Sequence, residues 1–208
     1  MAKVITGVFP KKETGKIEKK DKPVPSYILH ISLTFSDPLI WRRVQVPGNI
    51  SLATFHHVIQ LSMGWSDTHV HQFHVGKISY EPALGSDTIG EAKRYDERNF
   101  KLQDLEESMR FMFAYLYDAG DIWEHEIRLE EVVYQLGKSN NPVLLAGEQA
   151  CPPEAISDIH AYQALLSSLE HHEENGLQKL SELTGSSDFN PDFFDLEAAR
   201  ERLQLLNQ

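Results

Sequence analysis

Three histidines fall within six positions of the chain, in the run WSDTHVHQFHVG that covers residues 65–76. Imidazole binds metals and exchanges protons near neutral pH, so this run is the first candidate for chemistry. If residues 70–75 form a strand, successive side chains alternate between its faces. His71 then shares a face with Phe73, while His74 points to the other side. The run alone cannot place three imidazoles on one ion, and a metal site needs ligands from elsewhere in the fold.

Further ligands are available in two other phrases of the sequence. Zinc is held by at least three protein ligands, and the predicted metal set is His69, His71 and His125. The phrases YDAGDIWEHEI and ACPPE also supply groups for acid–base or nucleophilic catalysis, and the candidates are Asp118, Asp121, His125 and Cys151. The cofactor itself stays open, with zinc or another divalent metal as the candidate.

His125 also has a purely structural interpretation. It alternates with Trp123 and Ile127 on the apolar side of a strand, where a buried imidazole needs hydrogen-bond partners because an unpaired nitrogen costs about 1–3 kcal/mol. We expect His71 on a neighbouring strand to be such a partner. A carboxylate of the YDAGDIW turn could instead make His125 a general base.

The other catalytic candidates have structural interpretations too. Cys151 could act as a thiolate nucleophile, but no Cys–His signature surrounds it, and an isolated cysteine is commonly a small buried apolar residue. Asp118 and Asp121 flank a glycine, and ordinary turn chemistry accounts for both. A calcium loop would need more oxygen ligands at regular spacing than this turn supplies.

The hydrophobic pattern predicts the strands that must position these residues. Two-residue alternation or short apolar runs indicate extended segments at 26–35, 39–46, 69–82, 110–118, 122–133 and 142–154. The segment 110–118 is apolar on both faces, as expected of a central strand. Arg42 and Arg43 are adjacent on a strand and therefore point to opposite faces. Residues 84–98 are polar and predict an exposed excursion.

One early helix and a helical C-terminal segment complete the pattern. Residues 51–64 have helical spacing, with Ser51 as the N-terminal cap and Gly64 at the left-handed C-terminal position. His56 and His57 lie about 100° apart on this helix, so at most one of them faces the core. Helical periods return after residue 156. This order predicts an α+β fold with a mixed, mainly antiparallel sheet, one early helix packed on it and a C-terminal helical segment.

Charge is distributed unevenly along the chain. Residues 1–26 hold seven lysines against three carboxylates, and the whole chain has a net charge of -11, so the other 182 residues carry -15. An acidic body repels phosphate, which disfavours duplex nucleic acid as a partner and leaves a protein or a small molecule. We expect residues 1–25 to be a disordered lysine-rich arm and residues 26–208 to be one domain, strand-rich over 26–152 and helical over 153–208.

Composition also indicates the cellular compartment. The single cysteine, Cys151, excludes an internal disulfide framework and favours a reducing cytoplasm. We find no apolar run of the roughly 20 residues that a membrane span needs, and no secretory signal core at the N-terminus. The sequence therefore predicts a cytoplasmic protein without a membrane segment.

Five phrases occur in order along the chain: IWRRVQVPGNISLATFHHVIQLSMGW, HVHQF, YLYDAGDIWEHEI, ACPPE and FNPDFFDLEAARERL. Together they resemble the plasmid pRiA4b ORF-3-like family from about Ser26 to Leu203. The resemblance implies a compact α+β domain without an established activity. Two departures, Ala119 in place of an aromatic residue and AISD after CPPE, argue against any role that needs an aromatic lid or a second thiol beside Cys151.

The leading functional hypothesis is a non-enzymatic binding or adaptor domain. The alternative is a metal-dependent enzyme of hydrolase type that uses the His/Asp/Cys candidates. A weaker alternative is an accessory factor in DNA transactions of mobile elements, since some members of the resembled family carry a resolvase-type label. The sequence has neither the arginine-rich cluster nor the helix-turn-helix with basic flanks that such a role would use.

Overall fold

The computed structural model of the chain describes residues 24–82, 93–106, 112–117, 123–134, 141–171, 174–184 and 189–207. The predicted lysine-rich arm lies almost entirely outside these described residues. So do two of the predicted catalytic candidates, Asp118 and Asp121, and the neighbouring Ala119.

The fold is built on one eight-stranded sheet. Its strands are β1 (Ser26–Leu33), β2 (Trp41–Pro47), β3 (His71–Val75), β4 (Ile78–Glu81), β5 (Lys93–Asp96), β6 (Phe113–Tyr117), β7 (Trp123–Val133) and β8 (Val143–Glu148). Their order across the sheet is β5-β4-β3-β6-β7-β1-β2-β8. All neighbours are antiparallel except β4 and β5, which run parallel. The predicted mixed, mainly antiparallel sheet is confirmed.

The helices are α1 (Leu52–Met63), α2 (Ile159–Glu170), α3 (Glu174–Thr184) and α4 (Leu196–Gln204), with short 3-10 turns at Glu97–Asn99, Leu102–Leu105 and Leu205–Asn207. Ser51 caps α1 by accepting a hydrogen bond from the backbone N–H of Thr54, and Gly64 ends the helix with a φ of 98°. Both helix boundaries were predicted from these two residues and are confirmed. None of the helices in the described residues is long and apolar enough to cross a membrane.

The core lies between the sheet and α1. Phe55 of α1 packs on Phe73 of β3, with 5.8 Å between ring centroids, and also contacts Phe113 of β6. All three side chains are buried. Burying one such ring contributes about 1.5–3 kcal/mol, so these contacts fix α1 across the central strands. Helix α4 then packs against α1 and β8.

The two faces of the sheet differ as the strand parity predicts. We call the face of the sheet on which α1 packs the helix-covered face. Arg42 points into that face and is fully buried, whereas Arg43 is exposed on the opposite face. On the central strand β6, Phe113, Tyr115 and Tyr117 are buried under the helices. The polar segment predicted at 84–98 differs from the structure at its end, because Lys93–Asp96 forms the edge strand β5 and Glu97 is buried just after it.

Candidate functional site

The loop between α1 and β3, residues 64–70, makes hydrogen bonds to several separate parts of the helix-covered face. We call it the α1–β3 loop. Trp65 Nε1 donates to the carbonyl of Pro152 at 3.0 Å, and the Ser66 N–H donates to Glu154 at 2.8 Å. The Thr68 N–H donates to Tyr117 Oη at 2.9 Å. The loop therefore ties the end of α1 both to the central strand and to the segment after β8.

Asp67 of this loop closes a ring of hydrogen bonds. Its N–H donates to Gln60 Oε1 at 3.2 Å, and Gln60 Nε2 donates to Tyr115 Oη at 2.9 Å. Tyr115 Oη and His56 Nδ1 are 2.7 Å apart, and His56 Nε2 lies 2.8 Å from Asp67 Oδ1. We call these residues, together with His57, the Asp67 network.

The donors and acceptors of this ring are consistent only in one direction. The Asp67 carboxylate accepts, so His56 Nε2 carries the hydrogen and Nδ1 accepts from the Tyr115 hydroxyl. Burial and the adjacent His71 lower the pKa of His56 to about 4, so its imidazole is neutral at pH 7. A neutral imidazole with both nitrogens paired satisfies the requirement for burying a polar ring.

The outer edge of the network is open to solvent. His57, the next residue on α1, places Nδ1 at 3.5 Å from Asp67 Oδ2. Its side chain is 49% exposed and that of Asp67 is 37% exposed, against 2% for His56. The prediction that only one of the two helix histidines faces the core is confirmed. The carboxylate therefore bridges one buried and one exposed imidazole.

His71 packs directly behind His56. The two rings are parallel within 3° and their centroids are 3.4 Å apart. His71 Nε2 lies 2.8 Å from Glu97 Oε2, and both side chains are buried. His71 thus links the His56 ring to the buried side chain of Glu97.

A second carboxylate, Glu154, lies on the other side of the loop. It accepts hydrogen bonds from Tyr117 Oη, from the Ser66 N–H and from Thr68 Oγ1. Burial opposes the ionisation of Glu154, but these donors outweigh it and lower the pKa of its carboxyl. Glu154 is therefore an anchored, ionised group.

Glu154 and Cys151 line an open cleft of about 520 Å³, which we call the Glu154 cleft. Aromatic, aliphatic and proline side chains make up most of its remaining wall: Met63, Trp65, Pro152, Pro153, Leu183 and Phe189. Burial raises the pKa of the Cys151 thiol to about 12, although Arg42 acts in the opposite direction. The thiol stays protonated at neutral pH, which is the unreactive form of a cysteine.

His125 is sealed in the interior. Its Nδ1–H donates to the carbonyl of Trp123 at 3.1 Å, while Nε2 is buried without a hydrogen-bond partner in the described part of the chain. Burial lowers the pKa of His125 to about 4. Trp65 packs edge-on against its ring with 5.3 Å between centroids. A neutral, enclosed imidazole of this kind fits the structural interpretation of His125.

The structure separates the three residues of the predicted metal set. His71 faces Glu97 and His56, whereas the ring of Tyr115 lies between His71 and His125, with centroids 5.9 Å and 5.4 Å away. The expected direct pairing of His71 with His125 is therefore wrong, because β6 runs between their strands. His69 is exposed and packs edge-on against Tyr117. Strand parity is confirmed, since His71 is buried and His74 is not.

Within the described residues, the group of potential metal ligands that lies close together is His56, His57 and Asp67, whose ligand atoms are all within 4.8 Å of one another. Both histidines were predicted correctly on α1, but Asp67 was not predicted as their shared partner. A signal for it was present, because Asp67 lies just after the glycine that ends the same helix. No feature of the sequence indicated that Glu97 is buried, because it lies in the polar segment 84–98, which as a whole predicts exposure.

Comparisons with known proteins agree with this fold. The family model described as plasmid pRiA4b ORF-3-like protein matches residues 25–198. The chain belongs to this family.

Two relatives show how far the pRiA4b ORF-3-like similarity extends. The uncharacterized protein y4hQ of Sinorhizobium fredii is 31% identical over 161 residues, which cover 77% of this chain and 81% of that protein. The crystal structure of the protein of unknown function MM3350 from Methanosarcina mazei has a TM-score of 0.74 at 30% identity, covering 85% of this chain and 97% of that one. The second relative shares the fold of this chain, and neither name assigns an activity.

Proposed function

We propose that this member of the pRiA4b ORF-3-like family is a non-enzymatic binding domain, and that the Glu154 cleft takes a basic segment of a partner protein. The observation that carries the proposal is the cleft itself, which combines an anchored, ionised carboxylate with partly exposed apolar side chains of Pro153 and Phe189. Its volume of about 520 Å³ suits a few side chains of a ligand.

The reactive groups of the region support binding rather than catalysis. Cys151 has a protonated thiol, with its pKa raised by burial to about 12. His125 is enclosed, and His56 uses both ring nitrogens within the Asp67 network. A general base must reach a substrate proton and a nucleophile must be ionised, and these described groups meet neither condition.

Charge supports a basic ligand. Residues 27–208 carry a net charge of -15, so a cationic segment is attracted to the domain from a distance and an anionic one is repelled. Inside the cleft, the Glu154 carboxylate is the group that can receive a lysine or arginine side chain. Pro153 and the partly exposed Phe189 offer apolar surface to its aliphatic part.

The test is calorimetric titration of the full chain with a short synthetic peptide that alternates arginine or lysine with apolar residues. A peptide of the same composition with glutamate in the basic positions is the matched ligand control. We expect salt-sensitive binding of the basic peptide, with at least about tenfold weaker affinity in Glu154→Gln, corresponding to about 1.4 kcal/mol. Glu130→Gln, on the opposite face of the sheet, is the matched variant and should bind like the wild type.

Two results would contradict the proposal. One is equal affinity for the acidic and the basic peptide, and the other is unchanged binding in a folded Glu154→Gln variant. Duplex DNA provides a further check, because the acidic body should give no gel retardation at physiological salt. Tight, salt-sensitive DNA binding that disappears on deletion of residues 1–25 would instead favour the DNA-transaction hypothesis.

A further inference from the structure

We propose that His56, His57 and Asp67 form a binding site for a divalent transition-metal ion, at the exposed edge of the Asp67 network. The site is separate from the Glu154 cleft and does not depend on peptide binding there. It also differs from the metal set expected from the sequence, because neither His69 nor His125 belongs to it.

The distances between the ligand atoms are close to those of a tetrahedral zinc site. Two ligands at 2.0–2.1 Å from a tetrahedral ion lie about 3.3 Å apart. Here His56 Nε2 is 2.8 Å from Asp67 Oδ1, and His57 Nδ1 is 3.5 Å from Asp67 Oδ2. All three ligand positions fall within 4.8 Å of one another. The third edge, between the ligand nitrogens of His56 and His57, is at most 4.8 Å and must shorten by up to about 1.5 Å when an ion binds.

The ligand types select the class of ion. Two imidazoles and one carboxylate suit zinc, cobalt, nickel or iron, whereas magnesium and calcium prefer sites made entirely of oxygen. The three side chains supply three ligands and leave a fourth position open. That position faces solvent, because His57 and Asp67 are 49% and 37% exposed. An open position of this kind permits the ion to exchange and to accept an external donor.

The surrounding residues hold two of the ligands in place before an ion arrives. Asp67 adopts a left-handed backbone conformation, with a φ of 56°, and its N–H is fixed by Gln60 Oε1. The other ring nitrogen of His56 is fixed by Tyr115. Metal-binding histidines characteristically have their second nitrogen hydrogen-bonded, because this sets the ring orientation and the tautomer.

Metal binding requires a rearrangement of hydrogens within the network but no net loss of a proton. The ion takes the lone pair of His56 Nε2, and the ring hydrogen moves to Nδ1. Nδ1–H then donates to Tyr115 Oη, and the Tyr115 hydroxyl hydrogen loses Nδ1 as its acceptor, a cost that the metal–ligand bonds must exceed. Behind His56, the stacked His71 connects the site to the buried carboxylate of Glu97, which offsets part of the added positive charge.

The experiment is equilibrium dialysis of the full chain, without a histidine tag, against zinc chloride, together with the visible spectrum after cobalt(II) loading. We expect one equivalent of metal and the intense cobalt bands of a four-coordinate site. His57→Gln and Asp67→Asn should each weaken binding by at least about 100-fold. Asparagine tolerates the left-handed conformation and can still accept from His56, and His57 is half-exposed, so both variants should keep the fold.

His69→Gln is the matched control, because His69 is an exposed histidine of the same loop that lies outside the proposed site. It should bind metal like the wild type. Wild-type protein that takes up less than about a tenth of an equivalent of zinc and cobalt would overturn the proposal. So would loss of binding in His69→Gln with unchanged binding in His57→Gln. Either result leaves the peptide-binding proposal intact, since that proposal is tested through Glu154.

Discussion

Two regions of the helix-covered face bury polar side chains in different ways. The first is the Asp67 network, between α1 and the central strand β6. The second, which we call the Arg42 region, consists of the buried Arg42 and His125 together with the partly buried Cys151. Arg42 donates to the main-chain carbonyls of Trp41, Ser62, Glu148 and Gln149 at 2.7–3.0 Å. Its guanidinium lies 3.7 Å from the ring centroid of Phe194.

The two regions differ in the hydrogen-bond partners of their side chains and in their exposure to solvent. The polar partners of Arg42 are backbone atoms of β2, α1, β8 and the residue that follows β8, and these are fixed by the fold itself. The partners in the Asp67 network are mostly side chains, and one end of the network reaches solvent. Backbone partners indicate a structural tie, whereas side chains with an exposed end can exchange one partner for a ligand. We therefore interpret the Arg42 region as structural and the Asp67 network as the region that can bind a ligand.

The largest effect is expected from Arg42→Ala. The change removes the guanidinium donor from four main-chain carbonyls, one buried and three partly buried, and opens a cavity beside Phe194. The free energy of unfolding should therefore fall by about 3–5 kcal/mol. Urea denaturation followed by circular dichroism measures this loss. Arg43→Ala on the opposite face removes only an exposed ion pair with Glu130 and should cost at most about 1 kcal/mol. Equal effects of the two variants would show that Arg42 is not a structural tie.

The two buried histidines should respond differently to the same substitution. His56→Phe removes the partner of both Tyr115 and Asp67, and should lower the free energy of unfolding by about 2–4 kcal/mol. His125→Phe removes one hydrogen bond, from Nδ1 to the Trp123 carbonyl, and one nitrogen, Nε2, that has no partner among the described residues, and should change it by no more than about 1 kcal/mol. Thermal and urea unfolding of both variants measure the difference. The reverse order would contradict the assignment of hydrogen bonds in the network.

Acid should destabilise the fold in part through His125. Burial lowers its pKa to about 4 in the folded chain, against about 6.5 in the unfolded chain. The unfolded state therefore binds more protons between pH 6.5 and 4, and stability falls as pH decreases through that window. The contribution is at most about 1.4 kcal/mol per pH unit. His125→Phe should show a shallower decline than the wild type, and an identical slope would show that His125 is not held neutral.

The smallest effect concerns the reactivity of Cys151. With its pKa raised to about 12 by burial, the thiol should react with iodoacetamide at pH 8 about three orders of magnitude more slowly than free cysteine. Mass spectrometry of the intact chain follows the reaction, with urea-unfolded protein as the reference. Fast modification of the folded chain would place a reactive thiolate in the Glu154 cleft and would favour a catalytic role.

Local patterns in the sequence predict most of the fold. Alternation located the strands that carry Arg42, His71 and His125, and Ser51 and Gly64 marked both ends of α1. These predictions are confirmed because each depends on neighbouring residues and on the periodicity of one element. The edge strand β5 was missed, since its side chains are polar and exposed and give no alternation.

The candidate site could be predicted only in part. Side-chain alternation along β3 correctly predicted that His71 is buried. The sequence does not show that β6 lies between β3 and β7 in the sheet. Partners between distant segments, such as His71 with Glu97 or Tyr117 with Glu154, depend on strand order and loop conformation, which local periodicity does not encode. The metal site proposed above takes only Asp67 from residues 65–76 and its imidazoles from His56 and His57, so it is a different site from the predicted set of His69, His71 and His125.

The most direct test of the contrast between the two regions is nitrogen NMR of the histidine side chains during titration with one equivalent of zinc. We predict that the resonances of His56 Nε2 and His57 Nδ1 move to the range of metal-bound nitrogen, while those of His125 and His69 stay unchanged. Movement of the His125 or His69 resonances, with those of His56 and His57 unchanged, would contradict the account and return the site to the residues first expected from the sequence.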